Sequence, residues 1–566
     1  STKGLPVYIH KIAMETAEQT FNVASCLPRM AEKMPDKQAV IFSRRRYPGG
    51  SFASFHLTFS QLDKESSRYA LGLQKMGIKK GQRVLLMVKG PDFITLAFAL
   101  FKMGAIPILI DPGMGLSGLL KCIKQVEPEV LIAVPIVHLV KTFKRKYFSA
   151  IKYSITVGRK LFWRGITLKT VGEKEHGNFS PVATKKEDPA AILFTSGSTG
   201  SPKGVLYLHG MFLAQVEHIK SHYGISEGEV DMPAFPLFAL FSIAIGMTCV
   251  IPDMNPSKPA KVNPKKIIAA IKKYDVTNSF GSPAIWDRVG EHCIRHRLRL
   301  PSIKRVLMAG APVPGHVLKR FKDILSDEAD TFTPYGATEA LPISSISCTE
   351  RLKTEVKSRT GAGTCVGKPI SGITIRIIKI TDDPIPRWNE NLVLGMGKKG
   401  EIAVKGDVVT REYFRMKEQT NLAKIKDGDS VWHRMGDIGY FDESGRLWFC
   451  GRKYHRVVAK DRTLFTIPCE AVFNQHPDVF RSALVGIGPK NNQQPIMIIE
   501  PQKGKMPLFL SQKKFIRELL EISRKFKHTQ EIKEVLFYRS FPVDIRHNVK
   551  ISREKLAQWA EKKIRR

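Results

Sequence analysis

Ten consecutive residues, Thr195, Ser196, Gly197, Ser198, Thr199, Gly200, Ser201, Pro202, Lys203 and Gly204, hold three glycines, five hydroxyls and one lysine. Apolar runs of strand length flank them at 190–194 and 205–208, so the spacing predicts a loop joining two strands. Glycines allow backbone N–H groups to converge on one point, hydroxyls add donors, and Lys203 adds a positive charge. A loop of this composition suits phosphate oxygens. It is not the Walker pattern, because no Gly-Lys-Ser/Thr triplet opens a helix. A flexible glycine-serine loop is the plain alternative.

Two further segments could do complementary chemistry. Residues 332–339 put Tyr335, Gly336, Thr338 and Glu339 in one short loop, where a ring could stack on a purine and a carboxylate could hold magnesium beside phosphates. A simple turn explains the same residues. Asp437, between Gly436 and Gly439, reads as a loop carboxylate able to grip ribose hydroxyls, or as a surface turn. Residues 305–312 run from a strand into a turn at Gly310, Ala311 and Pro312, where α/β sheets commonly place ligands. His209 and His433 lie near these motifs, and each reads first as a structural histidine.

Elements that could position such residues alternate along the chain. Helical period over 22–33 precedes a strand at 39–42, and Ser60 opens a capped helix that ends before Gly77. Strands at 83–88, 106–110 and 130–134 are separated by helices at 92–103 and 117–125, which predicts a doubly wound sheet. The aromatic, proline-broken run 234–241 would serve equally as pocket wall or as core. From Gly400 the pattern changes to short β segments, with a hairpin over 435–449. A smaller, lysine-rich portion follows, with strands at 483–487 and 496–499. In its helix after Ser511, Phe515, Leu519, Ile522 and Phe526 share one face. Lys550 falls in a loop before a last helix at 552–562.

At 566 residues the chain exceeds the size of a single core. Ninety Lys and Arg against 52 Asp and Glu, a formal charge of +38, imply attraction to polyanions. The excess is spread along the chain with no basic arm or zinc-finger spacing, so no dedicated nucleic-acid partner is expected. Eight cysteines without a Cys-x-x-Cys pair suggest reduced thiols in a cytoplasmic protein and no structural metal. No signal-peptide pattern opens the chain, and the apolar stretches 93–110 and 236–251 are too short to span a membrane.

Taken in order, the 195–204 loop, the 309–312 turn, the Tyr335–Glu339 segment, Gly436-Asp437, Gly451-Arg452 and Lys550 resemble the adenylate-forming superfamily of acyl-CoA synthetases, luciferases and adenylation domains. The resemblance covers essentially the whole chain. It implies an α/β fold: a large N-terminal domain of several subdomains over 1–452, and a small α+β lid over 453–566 hinged near Lys453 and Tyr454. It implies ATP and Mg²⁺ as cofactors and a long-chain carboxylic acid as substrate. Tyr335 would stack on adenine, Asp437 and Arg452 would hold ribose, and Glu339 would carry magnesium. Residues from Thr195 to Lys203 would grip the pyrophosphate portion of ATP, and Lys550 would bridge carboxylate and α-phosphate. Two departures stand out. Ala239 occupies the position where thioester-forming relatives usually carry a gating histidine, and Arg-His-Asn-Val replaces the usual residues before Lys550. In both the chain is similar to the olefin-forming β-lactone synthetases, which implies adenylation of a β-hydroxy acid and ring closure by its own hydroxyl. A CoA or acyl-AMP ligase, and a noncatalytic polyanion-binding relative, are the alternatives. The setting admits peripheral membrane or pathway-enzyme association.

Overall fold

The computed structural model describes residues 20–43, 54–195, 202–543 and 551–565, with the backbone alone for Thr195. The expectations for Ser196, Gly197, Ser198, Thr199, Gly200 and Lys550 fall outside the described residues.

Strands with nearly continuous apolar sequence bury both faces and therefore gather in the middle of a parallel sheet. Arg83–Met87, Ile106–Leu109 and Val130–Ala133 do so, at the centre of a seven-stranded sheet. Its parallel pairing ends at Pro189–Thr195, which pairs antiparallel with Lys203–Leu208 so that Thr195 faces Lys203. Thr195 and Lys203, on either side of the expected loop, thus lie on adjacent strands of one sheet. Helix Pro91–Lys102 is buried on nearly every side. Its fully buried Lys102 is compatible with that setting because Nζ donates to Asp63 at 2.6 Å and to Ser67 at 2.8 Å. No helix among the described residues is long and apolar enough to cross a membrane. The preceding helix, Phe59–Lys75, is capped by Thr58 rather than Ser60: Thr58 Oγ1 accepts from the Gln61 amide and Gln61 Oε1 accepts from the Thr58 amide. The reciprocal pair needs a residue three before the glutamine, and that residue is Thr58.

A second, larger sheet runs parallel through Thr248–Ile251, Val230–Asp231, Asn278–Gly281, Arg305–Met308 and Asp330–Ala337. Its change to antiparallel pairing comes earlier than Gly400. The two-residue turn at Thr338 and Glu339 folds Ala340–Ser347 back on its neighbour, and the antiparallel strands continue from there to Thr374–Ile378. Tyr335 and Gly336 accordingly lie in a strand and only Thr338 and Glu339 lie in the turn, which corrects the single-loop expectation. Asp437 is likewise not in a loop but inside the long strand Ser430–Phe441, paired with Arg452 of Leu447–Arg452. The glycine beside it, Gly436, has φ +66°, and the register to Gly400–Lys405 slips here, so the strand bulges without leaving the sheet.

The remaining residues form a small α+β unit. Val479–Ile487, Gln494–Pro501 and Glu534–Phe537 make a three-stranded sheet whose alternate residues face opposite cores. Leu484, Met497 and Val535 face the helices Thr466–Phe473 and Phe509–Arg524, with Phe515 and Leu519 buried as the sequence pattern requires. Ala483, Val485 and Ile498 face Arg553–Ile564.

Candidate active site

One continuous cleft of about 2970 Å³ brings together residues from both sheets and from the C-terminal unit. Lys203, Gly310, Ala311, Pro312, Tyr335, Gly336, Thr338, Glu339, Asp437 and Arg452 all line it. Every side chain expected to hold nucleotide or magnesium, where the structure describes it, is therefore on the same cavity.

The pairing of the two strands sets Arg452 against Asp437, and the tyrosine strand approaches from the other side. Tyr335 donates its hydroxyl to Asp437 Oδ2 at 2.5 Å, and Arg452 Nη1 lies 2.9 Å from Asp437 Oδ1. That second contact is an ion pair without hydrogen-bond alignment, so Oδ1 has no aligned donor although the residue is buried. Burial raises the Asp437 carboxyl above the usual carboxylate range, with Arg452 opposing the shift. A buried carboxylate oxygen awaiting a donor fits the hydroxyls of a ribose.

Glu339 is held from three directions. Tyr413 donates its hydroxyl to Oε1 at 2.8 Å, and the Thr410 amide and hydroxyl donate to the Glu339 carbonyl at 2.9 and 3.1 Å. Buried Lys424 donates to Thr410 Oγ1 at 2.9 Å, and burial pushes its ammonium down to about 7 while Glu339 opposes. Lys203 sits over the Tyr413 ring, 5.0 Å from its centre. No cluster of three His, Cys, Asp or Glu that could cage a metal occurs among the described residues. A lone carboxylate with one oxygen still open suits a Mg²⁺ that takes its other ligands from phosphates and water. Tyr413 and Lys424 were not selected from sequence, since neither belongs to a motif.

Part of the cleft wall is aromatic. Phe238 stacks on Phe280 with centroids 3.9 Å apart, and Phe241 stacks on Phe212 at 4.5 Å. The 234–241 run supplies both alternatives, because Phe235, Phe238 and Phe241 line the cleft while Ala239 and Leu240 are core. Ala239 puts no polar atom at the expected gate.

A buried polar group interrupts this wall, and sequence reasoning missed it because its members are far apart in the chain. Ser242 Oγ donates to Asp231 Oδ2 at 2.5 Å and Asn278 Nδ2 donates to Asp231 Oδ1 at 2.6 Å. Burial raises Asp231 to about 6 from an ordinary 3.8. A carboxyl whose folded value is raised contributes stability that is complete below its unfolded pKa and is lost as pH rises through the folded one. Two units correspond to about 3 kcal/mol. The stability of the native chain minus that of Asp231→Asn is expected to fall by about that amount between roughly pH 4 and pH 7. Urea denaturation across that range checks it, and parallel profiles would refute it.

The segment after Arg452 is anchored by charge. Glu401, buried, accepts from Arg434 Nη2 at 2.7 Å and pairs with Lys453 at 3.1 Å. Asp382 pairs with Arg456 at 2.8 Å and with Lys490 at 3.0 Å, and these cations hold its carboxyl down at about 2. Of the two histidines, His209 accepts a hydrogen bond from the Val23 amide at 3.1 Å and is held neutral by burial, with its pKa near 4. That role is structural. His433 lines the cleft but is buried beside Lys424, which also keeps it neutral. All eight cysteines are buried and free.

The family described as AMP-binding enzyme matches residues 27–414. An olefin beta-lactone synthetase of Stenotrophomonas maltophilia is 42% identical over 554 residues, covering 96% of this chain and 98% of the relative. Another from Xanthomonas campestris pv. campestris is 42% identical, with 95% and 97% covered. Among solved structures, the amide bond synthetase McbA from Marinactinospora thermotolerans superimposes with a TM-score of 0.76 at 21% identity, covering 95% of this chain and 99% of that one. The O-succinylbenzoate coenzyme A synthetase MenE from Bacillus subtilis, in complex with ATP and magnesium ion, gives 0.71 at 22% identity, with 94% and 98% covered.

Proposed function

The chain belongs to the family of AMP-binding enzymes, and on that premise we propose that it activates a long-chain β-hydroxy acid as an acyl-adenylate and then closes it to a β-lactone. The observation that carries the reading is the near-full-length 42% identity to olefin beta-lactone synthetases. Support comes from a single cleft lined both by Lys203, Tyr335, Glu339, Asp437 and Arg452 and by the aromatic Phe235, Phe238 and Phe241.

In the first step a carboxylate oxygen of the acid attacks the α-phosphorus of ATP, and the bond to the bridging oxygen breaks to release pyrophosphate. Two anions must meet, so cations and N–H dipoles are needed around them. Lys203 and the 195–204 loop would hold the phosphates, Gly310, Ala311 and Pro312 would border the nucleotide, Tyr335 would stack on adenine, and Asp437 with Arg452 would hold the ribose. Mg²⁺ would be held at Glu339 and would offset phosphate charge. Lys550 would bridge carboxylate and α-phosphate from the C-terminal unit, which we place at 453–566 with its hinge at Lys453 and Tyr454. In the second step the substrate's β-hydroxyl oxygen attacks the acyl carbon and the bond to AMP breaks, releasing AMP and a proton. The nucleophile belongs to the same molecule, so no thiol channel is required, and Ala239 at the gate position is consistent with that.

With a racemic β-hydroxy acid, ATP and Mg²⁺ but no CoA, sustained formation of AMP, pyrophosphate and a product lighter than the acid by one water is expected by mass spectrometry. A strict requirement for CoA or a carrier protein would instead make the chain a thioester-forming or acyl-transferring ligase.

A further inference from the structure

Between Glu129 and Glu173 the chain carries nine Lys and Arg and not one Asp or Glu. This stretch contains helix Pro135–Phe143, the strand Tyr153–Thr156 and the loop that leads on to Ile166–Thr167. Its exposed apolar residues fall on two segments of this stretch that touch each other. Ile136 and Phe143, two turns apart on the helix, are 61% and 75% exposed, and Leu161 and Phe162 in the loop are 52% and 72% exposed. Single exposed apolar side chains are ordinary, but four on adjoining segments are not. The two segments are joined by rings: buried Trp163 stacks on His138 of the helix at 5.4 Å and 6°, with Phe162 edge-on to Trp163 at 5.6 Å. Trp163 is fixed further by donating to Thr156 Oγ1 at 2.8 Å. This buried stack holds Phe162 out beside the helix, so its exposure is built into the packing.

Cations surround these tips. Lys144, Arg145 and Lys146 follow Phe143, Arg159 and Lys160 precede Leu161, and Arg164 follows Trp163. None of these six makes an ion pair among the described residues, whereas Arg320, Arg415 and Arg456 elsewhere do. The patch also adjoins the cleft, because Val134, Ile136 and Val137 line it as well.

We propose that this surface docks on an anionic phospholipid bilayer, with Phe143, Leu161 and Phe162 entering the headgroup region and the ring of cations meeting lipid phosphates. Protruding apolar tips framed by Lys and Arg match an interface that is negative outside and apolar just beneath. Nucleic acid would satisfy the cations but leave the tips in water, and no helix among the described residues is long and apolar enough to cross a membrane. Docking stands independently of the reaction proposed above. Its use, admitting a long-chain acid from the bilayer into a cleft whose rim is part of the patch, rests on that reading.

The test is flotation of the full chain with vesicles of phosphatidylcholine alone and of phosphatidylcholine mixed with phosphatidylglycerol. Partition onto the mixed vesicles is expected to be roughly tenfold or more stronger and to fall with added salt. The double variant Phe143→Ser with Phe162→Ser is expected to lower it by a similar factor, while ATP-dependent turnover of a short water-soluble acid stays unchanged. Arg159→Glu with Arg164→Glu should do the same without altering apolar area. Equal partition onto neutral vesicles, or variants that float like the native chain, would overturn the proposal. So would duplex DNA displacing the vesicles with an affinity that the serine variant retains. A dimer detected by light scattering that the serine variant dissolves would assign the patch to self-association and overturn docking too. Failure to turn over the acid with normal flotation would count against the proposed reaction alone.

Discussion

Asp437→Ala is expected to weaken ATP binding on the order of a hundredfold, with acid-dependent pyrophosphate exchange falling in step at low ATP and recovering in part at saturation. Charge-assisted hydrogen bonds to a buried carboxylate contribute about 1.5–3 kcal/mol each, and Asp437 is placed to make one or two with a ribose. Its Oδ1 is paired with the Arg452 guanidinium at 2.9 Å, which keeps the carboxylate charged to accept from a ligand hydroxyl. Deleting the side chain also leaves the buried Tyr335 hydroxyl without its acceptor, so Asp437→Asn is the gentler comparison, retaining an acceptor and losing the charge. Calorimetric titration with ATP and a thermal melt separate the outcomes. Unchanged affinity in a folded Asp437→Ala protein would remove this residue from the nucleotide site and, with it, the assignment of Arg452 as its partner.

For Lys550→Ala the expected loss lies in the chemical step: adenylation should fall on the order of a thousandfold, the scale found when one preorganised charge at a reacting centre is removed. ATP affinity should change only severalfold, because the groups assigned to adenine, ribose and phosphates are elsewhere. Lys550 itself lies outside the described residues, but the chain on either side is informative. Val543 and Ile551 pair across an antiparallel bridge, and both line the cleft. Exchange at the native rate in this variant, or loss of ATP binding equal to the loss of exchange, would defeat the assignment.

Several features of the architecture are legible from residue order because local physics decides them. Strands 83–87, 106–109 and 130–133 are short apolar runs between amphipathic or apolar helices, a pattern that only a parallel sheet covered on both faces can bury. The face of Phe509–Arg524 that carries Phe515 and Leu519 follows from its 3.6-residue period. Three local readings fail for equally physical reasons. Tyr335 and Asp437 sit among Gly, Pro and Thr, which suggest loops, but long-range strand pairing with Ser344 and Arg452 draws both into a sheet. The cap at Thr58 rather than Ser60 depends on which residue reaches the Gln61 amide.

What the amino-acid order decides alone is the kind of chemistry available: hydroxyls, glycines and a lysine for phosphates, a carboxylate for hydroxyls, and a net charge that seeks anions. These are properties of residue types and near neighbours. Only the folded chain decides which of them share a cavity, that Tyr335 and Arg452 meet on Asp437, that Asp231, Ser242 and Asn278 meet in the apolar wall, and that Phe143 and Phe162 are exposed. Each of those outcomes depends on contacts between residues distant along the chain. Such contacts are set by packing and strand register, which local composition does not encode.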